Sequence, residues 1–142
     1  MNVIGIASDH GGFKLKEVLI FELQKMNYSV VNLGTYSDDV SVDYPDYAHE
    51  MANAIASGKV DTGILICGTG IGISMAANRH DNIRAALCHN TTTARLSREH
   101  NDANVLALGA RVIGEEVAKE CVKIFLETEF EGGRHINRLN KL

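Results

Sequence analysis

Two glycine-led segments of this chain carry side chains able to do acid–base chemistry: Ser8-Asp9-His10-Gly11-Gly12 and Cys67-Gly68-Thr69-Gly70-Ile71-Gly72-Ile73-Ser74. Each follows a short apolar run and opens a helical pattern, so free backbone N–H groups and the positive end of a helix dipole meet in one place. Glycine lets a ligand come close to that backbone. The chemistry this suits is the holding of an anion, with Cys67 abutting the cradle. A thiol beside helix N–H groups is drawn toward its thiolate and becomes a base or a nucleophile. Most lone cysteines are instead small buried hydrophobes. That reading suits Cys121, on an apolar helical stripe, and also Cys88, although His89 stands beside it.

The second segment is neither of the common nucleotide loops. No Gly-Lys-Ser/Thr follows it, and Ile73 occupies the place of the third glycine of G-x-G-x-x-G. Where a dinucleotide site has an acidic residue after the next strand, this chain has Cys88-His89. A zinc site built from Cys67, Cys88, His89 and His100 lacks the short paired spacings of zinc modules. Tight turns between strands and helices are the plain alternative for the glycines.

His100 and Asn101 end a helical pattern in Ser97-Arg98-Glu99-His100-Asn101-Asp102. Position alone predicts a helix C-terminus there, with the His favoured by the dipole and the Asn taking the left-handed cap. Arg111 follows the fifth apolar run, and Gly132-Gly133-Arg134-His135-Ile136-Asn137-Arg138 adds two more arginines. A planar guanidinium can donate two parallel hydrogen bonds to phosphate oxygens. Any single arginine is more often solvated charge, so the argument rests on several converging on one rim. His49 and His80 read as solvated helix or loop residues.

The elements that must position these residues are legible as alternation. Runs rich in Val, Ile and Leu fall at 2–7, 28–33, 62–67, 83–88 and 104–108, each reading as a strand buried on both faces. Between them lie helical stripes such as Leu15, Leu19, Leu23 and Met26, then Ala48, Met51, Ala52 and Ile55, with Pro45 suited to a first helical turn. Val117, Cys121, Ile124 and Phe125 mark the last helix. Five strand-helix units in order predict a parallel sheet with helices on both faces, in one domain over 1–142. The polar tail, about 131–142, is expected to contribute to the site or to a dimer. Strand order does not follow from the pattern, but in such sheets ligands bind outside the carboxyl ends of the strands.

Composition narrows the partners. A chain of 142 residues, 45% hydrophobic and 23% charged, can bury a core unaided. Its net charge of -4 offers no field for nucleic acid or an anionic membrane. No signal peptide or membrane-length apolar run is read, and three cysteines without C-x-x-C spacing fit a reducing compartment, so a cytoplasmic location is expected.

Taken with Asp43-Tyr44-Pro45, Ala103-Asn104-Val105-Leu106 and Gly132-Gly133-Arg134-His135, these segments resemble the ribose-5-phosphate isomerase B family over nearly the whole chain and in the family's order. The resemblance implies a Rossmann-like three-layer α/β/α sandwich with a five-stranded parallel sheet. It implies an enzyme of the pentose phosphate pathway that interconverts D-ribose 5-phosphate and D-ribulose 5-phosphate by ring opening and 1,2 proton transfer through an enediolate. In that reading Cys67 shuttles the proton between C1 and C2, His100 opens the furanose ring, and Thr69 with the glycines holds the enediolate oxygens. Asp9, His10, Gly68, Gly70, Ile71, Gly72 and Asn101 would contact the substrate, and Arg111, Arg134 and Arg138 would grip its phosphate. No metal or organic cofactor is implied. The partners are a sugar phosphate and a second copy of the chain, in a homodimer with shared sites; pairing of dimers into tetramers is left open.

Some members of that family carry a glutamate after the glycines and lack the cysteine. With Cys67 present and Ser74-Met75 in that region, this chain resembles the cysteine branch. Galactose-6-phosphate and allose-6-phosphate isomerases share most of these features and are the alternative within the enzyme class. A non-catalytic module that binds a phosphate ligand is the rival from another class, since fold alone does not fix function. Cys67 and His100 discriminate, because a binder has no use for an activated thiol or a ring-opening histidine.

Overall fold

Strand and helix alternate as the apolar runs predict, in a computed structural model that describes residues 3–142. The strands are β1 (Val3–Ser8), β2 (Ser29–Asn32), β3 (Thr62–Cys67), β4 (Ala85–Leu87) and β5 (Val105–Gly109). The helices are α1 (Phe13–Lys25), α2 (Tyr44–Ala56), α3 (Ile71–Ala77), α4 (Thr91–Glu99), α5 (Glu115–Glu127) and a short α6 (His135–Leu139). Position 2, counted in the first run, lies outside the described residues. The strands pair in parallel in the order β2-β1-β3-β5-β4. The order reverses beside β1, so its carboxyl end and that of β3 flank the crevice where doubly wound sheets take their ligands.

Side-chain alternation along the strands builds a core on each face. Ile4, Ile6, Ile64, Ile66, Leu106 and Leu108 pack under α1, α4 and α5, through Leu15, Leu19, Leu23, Ala94, Cys121 and Phe125. Ala7, Leu65, Cys67, Val105 and Ala107 pack under α2 and α3, through Ala48, Met51, Ala52, Ile73 and Ala77. Cys67 therefore points toward the face that carries the start of α3.

Two expectations are corrected. The runs that form β2 and β4 are only partly buried, because both strands lie at sheet edges and have a neighbour on one side alone. On α5 the buried stripe is Ala118, Cys121, Val122 and Phe125, while Val117 stands 38% exposed. The i, i+3, i+4, i+7 face that meets the sheet is centred one residue further along than the apolar residues alone imply. Pro45 does fall in the first turn of α2, behind Asp43 at the cap.

Candidate active site

The cradle is made by the loop between β3 and α3, and its shape depends on glycine. Gly70 caps α3 with φ of +77°, and a Cβ there would sit 2.8 Å from the Leu108 carbonyl carbon. In this left-handed turn the Gly70 N–H donates to Cys67 Sγ at 3.1 Å. Neighbouring strands hold the loop down: Asp9 N–H donates to Ile66 O, Ala110 N–H to Cys67 O and Arg111 N–H to Gly68 O, at 3.2, 2.9 and 2.9 Å. Among the described residues, the N–H groups of Gly68 and Thr69 donate to no protein acceptor and are left for a ligand.

Around this floor stand most of the residues singled out by sequence. Asp9 is buried and its Oδ1 accepts from Gly12 N–H, so one oxygen caps the 3₁₀ turn His10–Gly12 and the other is left over. His10 Nδ1 accepts from Val42 N–H at 3.1 Å, which puts the ring proton on Nε2 and leaves that nitrogen as a donor. Thr69 Oγ1 accepts from Ile71 N–H at 3.2 Å, so its hydroxyl proton is free to donate. The Arg111 side chain lies over Gly68, 3.5 Å from where a Cβ would stand. The ring of Tyr44, at the start of α2, covers Gly72 so closely that a Cβ there would be 2.5 Å from Cζ. Tyr44 was not among the sequence candidates, although Asp43-Tyr44-Pro45 was the signal that could have raised it.

The remaining candidates lie at the opposite end of the sheet. α4 leaves the carboxyl end of β4 and runs back, so His100, its C-cap residue, comes just ahead of β5, whose Val105 pairs with Gly63. Cys67 is at the other end of that pairing, opposite Gly109, about 13 Å away by strand rise alone. His100 is the expected cap, but the left-handed residue is Asp102, with φ of 45°, and not Asn101. Asp102 suits the bend because its carboxylate also pairs with Arg84 and Arg98, at 3.1 and 2.8 Å. The tail folds back here: Glu131 N–H donates to Glu99 O at 3.0 Å. His135 stacks on His100 with centroids 4.4 Å apart, and Arg134 and Arg138 are near enough to act on the His135 charge. Within one chain Arg111 does not share a rim with Arg134 and Arg138, as the sequence argument had supposed.

The other cysteines behave as core. Burial pushes the Cys88 thiol up, and Cys121 up to about 11 through burial, then Cys88 and Glu120. Burial also pushes His135 down, helped by Arg134 and His100 and opposed by Glu131. His49 is exposed as read but His80 is half-buried, and the two meet at 2.7 Å between Nδ1 and Nε2. The zinc set weighed from sequence does not assemble; among the described residues the one group of three or more possible ligands is His100, Glu131 and His135.

The arrangement offers a buried sulfur, unpaired N–H donors and a guanidinium around one crevice, which can hold an oxyanion and move a proton beside it. The sequence profile of a family described as Ribose/Galactose Isomerase matches residues 4–142. Ribose-5-phosphate isomerase B of Escherichia coli is 48% identical over 142 residues, covering 100% of this chain and 95% of that protein. A solved structure of ribose-5-phosphate isomerase B from Clostridium thermocellum matches with a TM-score of 0.96 at 53% identity, over 98% of this chain and 93% of that one. The enzyme of the same name from Mycoplasma genitalium, solved with bound ribulose-5-phosphate, matches with a TM-score of 0.93 at 43% identity, over 98% and 92% of the two chains.

Proposed function

The chain belongs to the ribose/galactose isomerase family, and on that premise we propose that it interconverts D-ribose 5-phosphate and D-ribulose 5-phosphate with Cys67 as the proton-transfer base. One observation carries the assignment of the base: Cys67 Sγ lies at the floor of the cradle, 3.1 Å from Gly70 N–H, beside the free donors of Gly68 and Thr69. A hydrogen bond of this kind strengthens when its acceptor is charged.

In the open-chain aldose, Cys67 Sγ takes the proton from C2 as a C1–C2 double bond forms and the C1 carbonyl becomes an enediolate oxygen. Return of that proton to C1, with O2 passing its own proton to O1, leaves the ketose. The Gly68 and Thr69 N–H groups and the Thr69 hydroxyl are suited to the enediolate oxygens, which is the work of an oxyanion hole. Asp9, His10, Gly70, Ile71, Gly72 and Asn101 complete the proposed sugar contacts. Arg111, Arg134 and Arg138 take the phosphate, whose binding energy orients C1 and C2.

His100 is the proposed ring-opening residue, and its distance from Cys67 within one chain supports its coming from a second copy. A thiol at one end of the sheet and an imidazole at the other meet only if two chains pair, and a two-fold dimer would make two such sites. Ile71, Met75 and Val112 near the cradle and Ile136 on the tail are large apolar side chains left exposed, and a groove of about 790 Å³ runs beside β4 past Leu96, Leu139 and Leu142. We take residues 1–142 as one isomerase domain whose tail completes the partner's site, working in the cytoplasm, where its three free cysteines stay reduced. No described helix is long and apolar enough to cross a membrane.

The test is formation of ribulose 5-phosphate from ribose 5-phosphate after dialysis against EDTA and without added metal. Full activity is expected. Loss restored by a divalent ion would replace the thiol mechanism with a metal-assisted one. Turnover of galactose or allose 6-phosphate with a higher kcat/KM would move the substrate to six carbons.

A further inference from the structure

Three side chains with metal-ligating atoms converge where α4 meets the tail, away from the cradle of the same chain. His100 Nε2 lies 3.7 Å and His135 Nε2 4.0 Å from the same oxygen, Glu131 Oε1. All three ligand atoms fall within 4.8 Å of one another. The backbone under them is braced: Glu131 N–H holds the end of α4 through Glu99 O, and Gly132 and Gly133, with φ of 71° and 57°, make the turn that brings His135 back over Glu131. His135 is only 5% exposed, and its buried Nε2 has no hydrogen-bond partner among the described residues. A buried nitrogen left unpaired costs free energy, so it asks for a partner.

We propose that His100, Glu131 and His135 form a binding site for Zn²⁺ or a similar divalent transition-metal ion, and that the bound ion inhibits the enzyme. Two imidazoles and a carboxylate are a three-ligand zinc set, with the fourth tetrahedral position open. Ligand atoms about 2.0–2.1 Å from such an ion stand about 3.4 Å apart, so Glu131 Oε1 has to close on the imidazoles by about 0.3–0.6 Å and the widest separation, up to 4.8 Å, by as much as about 1.4 Å. His135 is fixed by packing, whereas the Glu131 and His100 side chains are 46% and 36% exposed and can make that movement. The stacked rings, inclined by 19°, require His100 to turn its Nε2 toward the ion. The inhibition rests on the reading of His100 as the ring-opening residue: an ion on Nε2 occupies the lone pair which that step uses.

The test separates binding from activity. Isothermal titration of Zn²⁺ into the Cys67→Ala variant, where the reactive thiol contributes nothing, is expected to find one ion per chain. Glu131→Gln and His135→Asn in that background should each weaken binding at least tenfold, since even outer-shell partners of a metal typically cost about 10–100-fold. Glu131 is a half-exposed surface residue, so its variant tests the site even where His135→Asn fails to fold. No binding, or binding that neither substitution weakens, overturns the proposal. In the Cys67 enzyme, Zn²⁺ should suppress ribose 5-phosphate turnover, EDTA should restore it, and Glu131→Gln should need at least about ten times more Zn²⁺ for half inhibition. Inhibition equal in both proteins assigns the effect to Cys67 and overturns the inhibitory site. Binding that Glu131→Gln weakens, without any loss of turnover, supports the site and overturns instead the ring-opening role of His100.

Discussion

Gly70 N–H and Cys67 Sγ lie 3.1 Å apart across a single turn, and the contact exists because residue 70 has no side chain. Its φ of +77° is strained for other residues, and the Leu108 carbonyl fills the space a Cβ would need. The bond and the turn are one feature: the turn that starts α3 also aims a donor at the sulfur.

Cys67→Ala is expected to abolish isomerisation, by on the order of 10² to 10⁴-fold or more, while leaving the fold intact. Cys67→Ser should be nearly as poor, because a hydroxyl is much harder to ionise than a thiol. Iodoacetamide followed by peptide mapping should find Cys67 alkylated before Cys88 and Cys121, whose thiols burial holds up, and substrate should protect it. Near-normal turnover in Cys67→Ala would place the base elsewhere.

His100→Asn should lose most activity on ribose 5-phosphate, which is largely cyclic, and far less on ribulose 5-phosphate, which has no furanose ring to open and whose aldehyde product closes by itself. Initial rates in both directions measure this. Equal losses, corrected for the equilibrium, would leave His100 with its capping role alone.

Because the two groups lie at opposite ends of the sheet, Cys67→Ala and His100→Asn chains should complement each other. Denaturing and refolding them together makes half the dimers mixed, each with one intact site of two, so about a quarter of wild-type activity should return. A mixture as inactive as its components would show that both residues of a site come from one chain.

Arg134→Ala and Arg138→Ala should each lower kcat/KM roughly 10- to 100-fold, the loss of a charged hydrogen bond worth about 1.5–3 kcal/mol. Both kcat and KM should suffer, since phosphate contacts help orient the reacting carbons. Inorganic phosphate should inhibit the wild type more strongly than either variant. Unchanged kinetics would return both arginines to solvent.

His135 makes stability depend on pH with a definite sign. Burial lowers its pKa in the folded chain, so between that value and the ordinary one near 6.5 the unfolded chain binds a proton which the folded chain refuses. The contribution is complete above the unfolded value and is lost as pH falls through it. The urea midpoint should therefore drop between about pH 7.5 and about pH 5, and drop less in His135→Gln. Parallel slopes for the two proteins would count against it.

What the sequence alone determined is local. Short apolar runs and period-3.6 stripes located the five strands and five main helices, because each element must bury its own apolar residues whatever its neighbours are. The cradle was legible for the same reason: glycines directly after a strand, a thiol before them and a helix after them lie within eight residues, from Cys67 to Ser74. Asp9, His10 and Arg111 could be aimed at that rim from their places just after strands. Resemblance supplied the role of His100, which its position left indistinguishable from a cap.

Only the tertiary structure decided what depends on distant partners. The order β2-β1-β3-β5-β4 makes β2 and β4 edges and half exposes them, and no run of residues records which strands will lie beside it. The proton on His10 is placed by Val42, 32 residues away, and Tyr44 reaches Gly72 only once α2 has packed beside α3. The antiparallel return of α4 sends His100 to the far end of the sheet from Cys67, so the arginines that looked convergent divide between two ends. Glu131 gained its place between two imidazoles from a tail whose polar sequence has no periodic face to predict its path. Periodicity reports burial, which each residue experiences on its own; a site is a set of distances between residues, and those are fixed by packing across the whole chain.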